Sequence, residues 1–448
     1  MLDAMTPPVP PTHHLNLPFF NAEHQTLASE LATWVQQQTV DEHDDRRACR
    51  EWVRLLGDAG WLKYCVPAEF GGALPKLDSR ALVILRETLA FHSPLADFAF
   101  AMQGLGSGAI TLAGTPAQQA AYLPHVASGR KIAAFALSEA DAGSDAGAMK
   151  TVANYVGSTG TSGTISCENG SKACAAERSG QVKEETAQRA GDTKQNALPH
   201  RLVEDGFYSL SGSKTWISNG GLADYYCVFA KTDPQAGTRG ITPFIVDANT
   251  PGLDASEHIE VMAPHPLATL KFTDCRVPAT AMLGELNGGF KLAMQTLDIF
   301  RASVAGAALG MARRAPAEAV SYAKARPMFG QRVSDFQLTQ AKLGEMAALI
   351  DAGAMLTYRA AWMRDAMGTA TPATAQAYTA AAAMAKMTAT ENASRVIDMA
   401  LQMHGGMGVK VGTRVEHLYR DIRSLRIYEG ATEVQQLIIG KSVLKASL

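Results

Sequence analysis

The stretch FYSLSGSKTWISN at residues 207–219, followed after a short Gly-rich turn by YYCVFAKT at residues 225–232, decides the fold class. Both are short runs rich in β-branched and aromatic residues, bounded by Gly, Asn and Asp, which is typical of antiparallel strands. The same pattern continues in KIAAFALSE from Lys131, ITPFIVD from Ile241, IEVMA from Ile259 and ATLKFTDCRVP from Ala268. Residues 131–283 are therefore predicted to form a middle antiparallel β-domain.

Helical patterns lie on both sides of these strands. In HQTLASELATWVQQQ, residues 24–38, the side chains of Leu27, Leu31 and Val35 fall on one helix face. Two alanine-rich stretches, residues 302–323 and 377–406, are strong helix formers whose small side chains let helices approach closely. We predict an α+β fold with four parts: an extended lead-in at 1–20, an N-terminal helical domain at 21–130, the β-domain at 131–283 and a C-terminal four-helix bundle at 284–448.

One segment inside the β-domain fits neither pattern. Residues 157–200 contain no aromatic residue and few hydrophobic ones. Such a composition buries too little apolar surface to offset the entropy lost on ordering. We interpret the segment as a flexible surface insertion at the tip of a hairpin, with Cys167 and Cys174 as idle surface thiols; a partner-binding or regulatory loop is the alternative.

Composition excludes several classes of function. The formal net charge of the 448 residues is −2, so the chain lacks the basic surface that nucleic acid or an anionic membrane would attract. Its 6 cysteines form no C-x-x-C motif, which argues against a zinc site or a disulfide framework and favours a reducing compartment. The N-terminus lacks the pattern of a signal peptide, so a cytoplasmic location is predicted, without metal, nucleic acid or membrane.

A stretch without charged residues, 98–129, contains prolines, glutamines and several glycines, which a bilayer would penalise. It is predicted to form a buried helix and loop. Within it, Gly104-Leu-Gly-Ser-Gly108 is similar to a dinucleotide loop, but it follows a helical region and no strand, so a nicotinamide site is not expected.

Five motifs carry the chemistry. They are FALSEADAGSD at 135–145, GSKTWISNG at 212–220, ARPMFGQRVSDFQ at 325–337, QMHGGMG at 402–408 and YRDIRSLRIYEGATEVQ at 419–435. Found together and in this order, they resemble the acyl-CoA dehydrogenase family from about residue 21 to residue 441, apart from the 157–200 insertion. The resemblance implies FAD as cofactor, an acyl-CoA substrate, electron-transfer flavoprotein as partner, a role in fatty-acid β-oxidation, and a homotetramer or dimer that shares its FAD sites.

The resemblance also implies the catalytic base. Members of this family remove a proton from Cα with a carboxylate while a hydride leaves Cβ for N5 of FAD. The carboxylate precedes a glycine in a loop between C-terminal helices, and Glu429 and Gly430 occupy these positions. Some members carry the base at a different position, immediately before the arginine of the motif that reads DIFR at residues 298–301 of this chain. This chain has Phe300 there, which cannot accept a proton. Glu429 is therefore the predicted base, with Gly430, Asp298 and Arg301 as substrate-binding residues.

Other site residues follow from the same resemblance. One group is expected to line the flavin ring: Phe135, Leu137, Ser138, Trp216, Ile217 and Ser218. Ser144 is expected to contact CoA. A second group is expected to hold the pyrophosphate and adenine of an FAD bound mainly by a neighbouring subunit: Arg326, Phe336, Gln337, Gln402, Gly405 and Gly406. Ala431, Thr432 and Glu433, which follow the base, replace a common Thr-Ser-Glu and are also expected to contact FAD, whereas His404 is expected to be structural.

Two alternatives stay open at this point. One is a flavin oxidase or monooxygenase on the same fold; a retained carboxylate at Glu429 argues against the monooxygenase but not against the oxidase. The other is a flavin-binding, nucleic-acid-associated relative without dehydrogenase activity, which the net charge disfavours.

Overall fold

The structure is a computed structural model that describes residues 8–157, 206–368 and 371–446. The predicted insertion at 157–200 lies outside the described residues apart from Gly157, and so do Cys167 and Cys174. The first part of the lead-in lies outside them as well. Residues 13–16, which were expected to be extended, form a short 3₁₀ helix instead.

Five helices make up the N-terminal part: α1 (Ala22–Val35), α2 (Asp45–Asp58), α3 (Ser79–His92), α4 (Pro94–Ala113) and α5 (Pro116–Ala127). Each begins after a residue whose side-chain oxygen accepts a backbone N–H of the first turn, namely Asn21, Asp44, Asp78, Ser93 and Thr115. These N-caps satisfy donors that a helix start would otherwise leave unpaired. The uncharged stretch 98–129 contains most of α4 and all of α5. The α4 part is buried, as predicted, whereas α5 is a second helix that is largely exposed or half-buried. No helix of the described residues has the length and apolar character needed to cross a bilayer.

Seven strands form the middle sheet: β1 (Ala133–Ala136), β2 (Val152–Val156), β3 (Phe207–Ser218), β4 (Tyr225–Lys231), β5 (Ile241–Asp247), β6 (Leu253–Ile259) and β7 (Leu267–Pro278). The long strand β3 pairs antiparallel with β2 and β7, and β4 pairs antiparallel with β5. Two pairings depart from the predicted antiparallel pattern. Strand β1 runs parallel to β4 with Phe135 opposite Cys227, and β2 also pairs in parallel with β4, at Val152 and Lys231.

The predicted strand IEVMA is wrong apart from its first residue, because β6 ends at Ile259. Residues 260–266 form an irregular segment that contains Pro264 and Pro266. Proline has no backbone N–H to donate to a neighbouring strand, so two of them within three residues interrupt the ladder. This segment carries His265 into the site described below.

The C-terminal part is helical: α6 (Gly289–Ala325), α7 (Gln337–Trp362), α8 (Pro372–Met403), α9 (Arg414–Leu425) and α10 (Thr432–Ala446). A small hairpin of β8 (Pro327–Met328) and β9 (Gln331–Arg332) joins α6 to α7. Ala308 on α6 and Ala385 and Ala389 on α8 are fully buried in one core cluster, so the small side chains do allow close helix packing. The predicted α+β fold class is confirmed.

The glycines of α4 serve packing. A Cβ added at Gly104 would lie 2.6 Å from Phe300, and one at Gly106 would lie 2.6 Å from Ala133 Cβ. Gly108 leaves room for Phe300 and Thr296 of α6. The GLGSG sequence therefore lets α6 and β1 approach α4 closely, and these glycines lie inside a helix, not in a strand-to-helix turn.

Candidate active site

The loop between α9 and α10 holds the predicted base in a left-handed backbone conformation. Glu429 has φ 53° and Gly430 has φ 94°. Three side chains from three different helices bind the carbonyls of this loop. Arg301 Nε donates to Glu429 O at 3.3 Å, Lys386 Nζ to Gly430 O at 2.7 Å, and Gln435 Nε2 to Gly430 O at 2.9 Å. A left-handed non-Gly residue is costly unless its surroundings fix it, and these donors do so.

Glu429 is half-buried, and one of its two carboxylate oxygens is buried and unpaired. Its Oε2 is inaccessible to solvent and accepts no hydrogen bond from any described residue. Loss of hydration raises the pKa of Glu429 above its ordinary 4.5, while the positive charges of Arg86, Lys386 and Arg301 oppose the rise. A carboxylate with an oxygen that is kept from water and accepts no hydrogen bond is a stronger proton acceptor than a fully exposed one.

Asp298 and Arg301, predicted to bind substrate, lie beneath this loop. The two side chains form an ion pair, and the Asp298 carboxylate also accepts from Thr379 Oγ1 at 2.8 Å. Tyr378 donates its hydroxyl to Asp298 O at 2.7 Å. In the structure Arg301 contacts the backbone of the base, so a direct contact with substrate stays a prediction.

The two predicted flavin-lining motifs lie side by side. Thr215 N donates to Ser138 O at 3.0 Å, and Lys214 Nζ donates to Leu137 O at 3.0 Å and to Glu139 Oε1 at 2.8 Å. Burial lowers the pKa of Lys214 to about 8, although Glu139 opposes the shift. Lys214, a residue of β3, thus holds the turn that follows Ser138 in place.

A β-bulge turns Trp216 outward. The pairing of β3 with β7 shifts register between Lys214 and Ile217, and Trp216 has φ 60°. Its side chain is 57% exposed, whereas Ile217 next to it is 1% exposed. Bulges commonly re-aim a side chain near a functional site. The indole, beside the Ser218 hydroxyl, offers an accessible aromatic surface on which a planar ring such as isoalloxazine would fit.

His265 joins this surface to the base loop, and the sequence analysis did not identify it. Its Nε2 lies 3.2 Å from Ser218 Oγ, and its ring lies 3.9 Å from that of Phe98 and 6.0 Å from that of Tyr428, centroid to centroid. Burial lowers the pKa of His265 to about 3, so the imidazole is neutral at physiological pH. Ser218 and Glu429 therefore belong to one neighbourhood.

The residues assigned to the pyrophosphate and adenine of FAD form a second, separate group. They lie where α6 ends, where α7 begins and where α8 ends: Arg326, Phe336, Gln337, Gln402, Gly405 and Gly406. The rings of Tyr322 and His404 pack 4.5 Å apart at this end of the bundle. From residue 386, which touches Gly430, to residue 402 is about 24 Å along α8 at 1.5 Å per residue. The structure therefore does not bring this group to the base.

The remaining assigned residues lie at the edges of the site. Ser144 is exposed in the turn after β1. Ala431 directly follows the base loop, and Thr432 and Glu433 begin α10. Thr432 Oγ1 donates to Glu391 Oε1 at 2.5 Å. Their contacts with cofactor or CoA stay predictions. Within the described residues, no group of three or more His, Cys, Asp or Glu side chains is arranged to hold a metal ion.

Comparison with known proteins gives matches along most of the chain. Three family models match in order: "Acyl-CoA dehydrogenase, N-terminal domain" at residues 21–130, "Acyl-CoA dehydrogenase, middle domain" at 186–275 and "Acyl-CoA dehydrogenase, C-terminal domain" at 287–444. The 3-(aryl)acrylate reductase of Clostridium sporogenes is 34% identical over 95% of this chain and 100% of its own length. The caffeyl-CoA reductase–Etf complex subunit CarC of Acetobacterium woodii is 34% identical over 88% of this chain and 90% of its own.

Solved structures agree. Butyryl-CoA dehydrogenase from Megasphaera elsdenii has a TM-score of 0.76 and 30% identity, covering 95% of this chain and 99% of its own. An acyl-CoA dehydrogenase from Bacillus anthracis, complexed with FAD, has a TM-score of 0.76 and 27% identity over 96% of this chain and 68% of its own.

Proposed function

Because this chain belongs to the acyl-CoA dehydrogenase family, an FAD-dependent family of oxidoreductases that act on CH–CH groups, we propose that it removes two hydrogens from Cα and Cβ of an acyl-CoA thioester to give a trans-2-enoyl-CoA. The observation that carries the proposal is the buried, unpaired Oε2 of Glu429 on a loop held by three side chains.

The residues divide the work as follows. Glu429 accepts the α-proton, because burial raises its basicity and none of the described donors occupies Oε2. Arg301, Lys386 and Gln435 fix the backbone of the loop, so the carboxylate does not have to be ordered during the reaction. Trp216 and Ser218 would hold the flavin ring beside the reacting carbons, since the indole is accessible for stacking. FAD, when bound, supplies the acceptor for the hydride from Cβ.

The direction of the reaction depends on the partner. A relative named as a reductase suggests the reverse process as a second candidate, in which protonated Glu429 returns a proton to Cα. The same geometry serves both directions, because forward and reverse steps pass through one transition state. We propose dehydrogenation with electron-transfer flavoprotein as acceptor, and the name of the CarC–Etf complex subunit supports this partner.

We also propose that subunits of an oligomer share FAD, as a dimer or homotetramer. The support is the distance of about 24 Å along α8 between the base loop and the second group of FAD-assigned residues. A cofactor whose ring lies at Trp216 of one subunit would take its adenine contacts from a neighbouring one. The cytoplasmic location and the role in fatty-acid β-oxidation stay predictions.

The experiment that tests the proposal is anaerobic stopped-flow reduction of bound FAD by a panel of acyl-CoA thioesters, with mass identification of the enoyl product. Glu429→Gln should bind FAD and keep its yellow colour while losing the bleaching step, because the amide cannot accept the proton. Glu30→Gln, on an exposed face of α1, is the matched control and should bleach normally. Substantial turnover by Glu429→Gln would show that the base is wrong, and rapid peroxide formation on admitting air would favour the oxidase.

A further inference from the structure

A buried ion pair stands behind the base loop, and the proposed reaction does not use it. Arg86 on α3 donates from Nε and Nη2 to the two carboxylate oxygens of Asp97 on α4, at 2.8 and 2.9 Å. The side chains are 2% and 3% exposed. Two charges that are buried this completely are tolerated only when they are well paired with each other. The side chains of Arg86 and Asp97 are therefore fixed in position next to the base loop.

The guanidinium of Arg86 connects this pair to the base loop. Its Nη1 donates to Ser303 Oγ on α6 at 3.1 Å, two residues beyond Arg301, whose Nε binds Glu429 O. Its positive charge also opposes the rise in pKa that burial causes at Glu429 and at Tyr428, the residue before the base. The pair therefore lies at the interior side of the space next to Glu429.

Aromatic side chains bound the pair on the α4 and α6 sides. Phe98, the residue after Asp97, is 6% exposed and packs on the ring of His265 at 3.9 Å. Phe300 is 2% exposed and lies against Gly104 and Gly108 of α4. Interiors packed this closely do not yield room for additional methylene groups without moving side chains.

The exposed residues of the site mark the side from which a substrate enters. Trp216 and Ser144 are exposed, whereas Arg86 and Asp97 are almost completely buried. A thioester with its CoA portion near Ser144 and its Cα near Glu429 therefore directs its acyl chain toward the ion pair. Each carbon beyond the first few would have to separate two buried charges.

We propose that the Arg86–Asp97 pair ends the acyl slot and restricts the substrate to short, uncharged acyl thioesters. This inference rests on the proposed function and adds a substrate class to it. Asp97 already binds the guanidinium through two hydrogen bonds, so Arg86 cannot serve as the receptor for a second carboxylate at the end of a dicarboxylic acyl group.

The first test uses the unmodified holoenzyme. Its FAD is bleached anaerobically with saturated acyl-CoA thioesters of four, eight and twelve carbons and with a five-carbon dicarboxylic acyl-CoA. We expect the second-order rate constant for the four-carbon thioester to exceed that for the eight-carbon one by at least about tenfold. A single methylene group that does not fit already reduces the rate constant by about that factor. The dicarboxylic substrate should react as poorly as the long ones.

The second test removes the pair as a unit, since a single substitution would leave one buried charge unpaired. Arg86→Ala/Asp97→Ala should raise the eight- to four-carbon ratio of rate constants by about tenfold or more. The matched control is Glu87→Ala/Arg313→Ala, which removes another buried ion pair that involves the same helix α3 but faces Tyr358 and His14. The control should leave the ratio unchanged.

The outcomes separate this inference from the proposed function. If no acyl-CoA bleaches the holoenzyme, the proposed function fails. If long and short thioesters bleach it equally fast, or if the dicarboxylic substrate is preferred, the proposed function stands and this inference is overturned. A double-alanine variant that binds FAD but keeps the unmodified ratio overturns it too. Should that variant fail to fold, the profile of the unmodified enzyme still decides.

Discussion

Lys214 Nζ lies 2.8 Å from Glu139 Oε1, and this buried contact joins the strand that carries Trp216 to the turn that follows Ser138. Glu139 also accepts from the backbone N–H groups of Lys150 and Thr151, at 2.6 and 3.0 Å. One carboxylate thus fixes both ends of the turn that includes Ser144. Two sequence motifs that lie far apart along the chain form one structural unit through this ion pair.

Lys214→Met should therefore destabilise the fold and weaken FAD binding together. The variant leaves the Glu139 carboxylate buried without its cation, a change that typically costs about 3–5 kcal/mol. Chemical denaturation of the apoprotein and titration with FAD would measure the two effects. Lys150→Met is the control in the same turn, because its partner Asp141 and Lys150 itself are both exposed, and it should change neither quantity appreciably. Equal behaviour of the two variants would contradict the structural role of Lys214.

Lys386→Met should shift the pH dependence of FAD reduction. Burial raises the pKa of Glu429 and the nearby ammonium of Lys386 counteracts the rise, so loss of that charge raises the pKa further. The base acts when deprotonated; the acid limb of the rate profile therefore moves to higher pH in the variant. Burial lowers the pKa of Lys386 itself to about 8, so its charge is present throughout the acid limb.

The control for this prediction is Lys386→Arg, which keeps the charge and should keep the acid limb near its original position. Stopped-flow reduction between pH 5 and pH 8 would provide both profiles. An acid limb that is unaltered in Lys386→Met would mean that the ammonium does not act on the base.

Gly430→Ala should slow the reaction more than it affects stability. Gly430 has φ 94°, and an added Cβ would lie 2.4 Å from Gln435 Nε2, one of the donors that hold the loop. Strain of this kind costs about 1–3 kcal/mol, and displacement of the base should reduce the rate of FAD bleaching by at least about tenfold. Gly440→Ala, on the same helix as Gln435 with open space around it, should retain activity and gain up to about 1 kcal/mol of stability.

Gly104→Ala should destabilise the contact between α4 and α6. The new methyl group would lie 2.6 Å from Phe300, whose ring is enclosed by neighbouring helices, so the ring or the helix must move. Overpacking of this kind costs about 1–3 kcal/mol. The comparison is Gly344→Ala on α7, where a Cβ meets nothing within 4 Å and higher helix propensity should raise the midpoint of thermal unfolding. A Gly104→Ala variant as stable as the unmodified protein would mean that Phe300 repacks freely.

Much of the fold could be predicted from sequence because its signals are local. The strand residues of β3, β4 and β5 are β-branched or aromatic and are bounded by turn residues, and the helices begin at side chains that cap them. The prediction for IEVMA was wrong because the residues that decide its structure lie outside the run. Its apolar residues suggested a strand, whereas the prolines just beyond it decide the local pairing. Likewise, the parallel pairing of β1 with β4 depends on chain topology, which local pattern does not encode.

The residues of the candidate site also differ in whether the sequence could identify them. Glu429 could be identified because the residues that flank it form a recognisable motif. His265, Lys386 and Arg86 could not, because each acts through a contact with a residue distant in sequence: Ser218, Gly430 and Ser303 respectively. A weak signal was present for two of them. Arg86 and Lys386 each follow a run of apolar residues, ALVIL at 81–85 and AAAAMA at 380–385, where a charge is rarely buried without a partner.

The way the base loop is held has one more consequence. Arg301, Lys386 and Gln435 all bind backbone carbonyls, so the position of the main chain at residue 429 does not depend on which side chain it carries. The length of that side chain therefore sets how far the carboxylate oxygens reach from the fixed main chain toward the substrate. An aspartate at this position would place the acceptor oxygen farther from the substrate by about one carbon–carbon bond, about 1.5 Å. Because the three donors hold the loop in place, the main chain could not move to compensate.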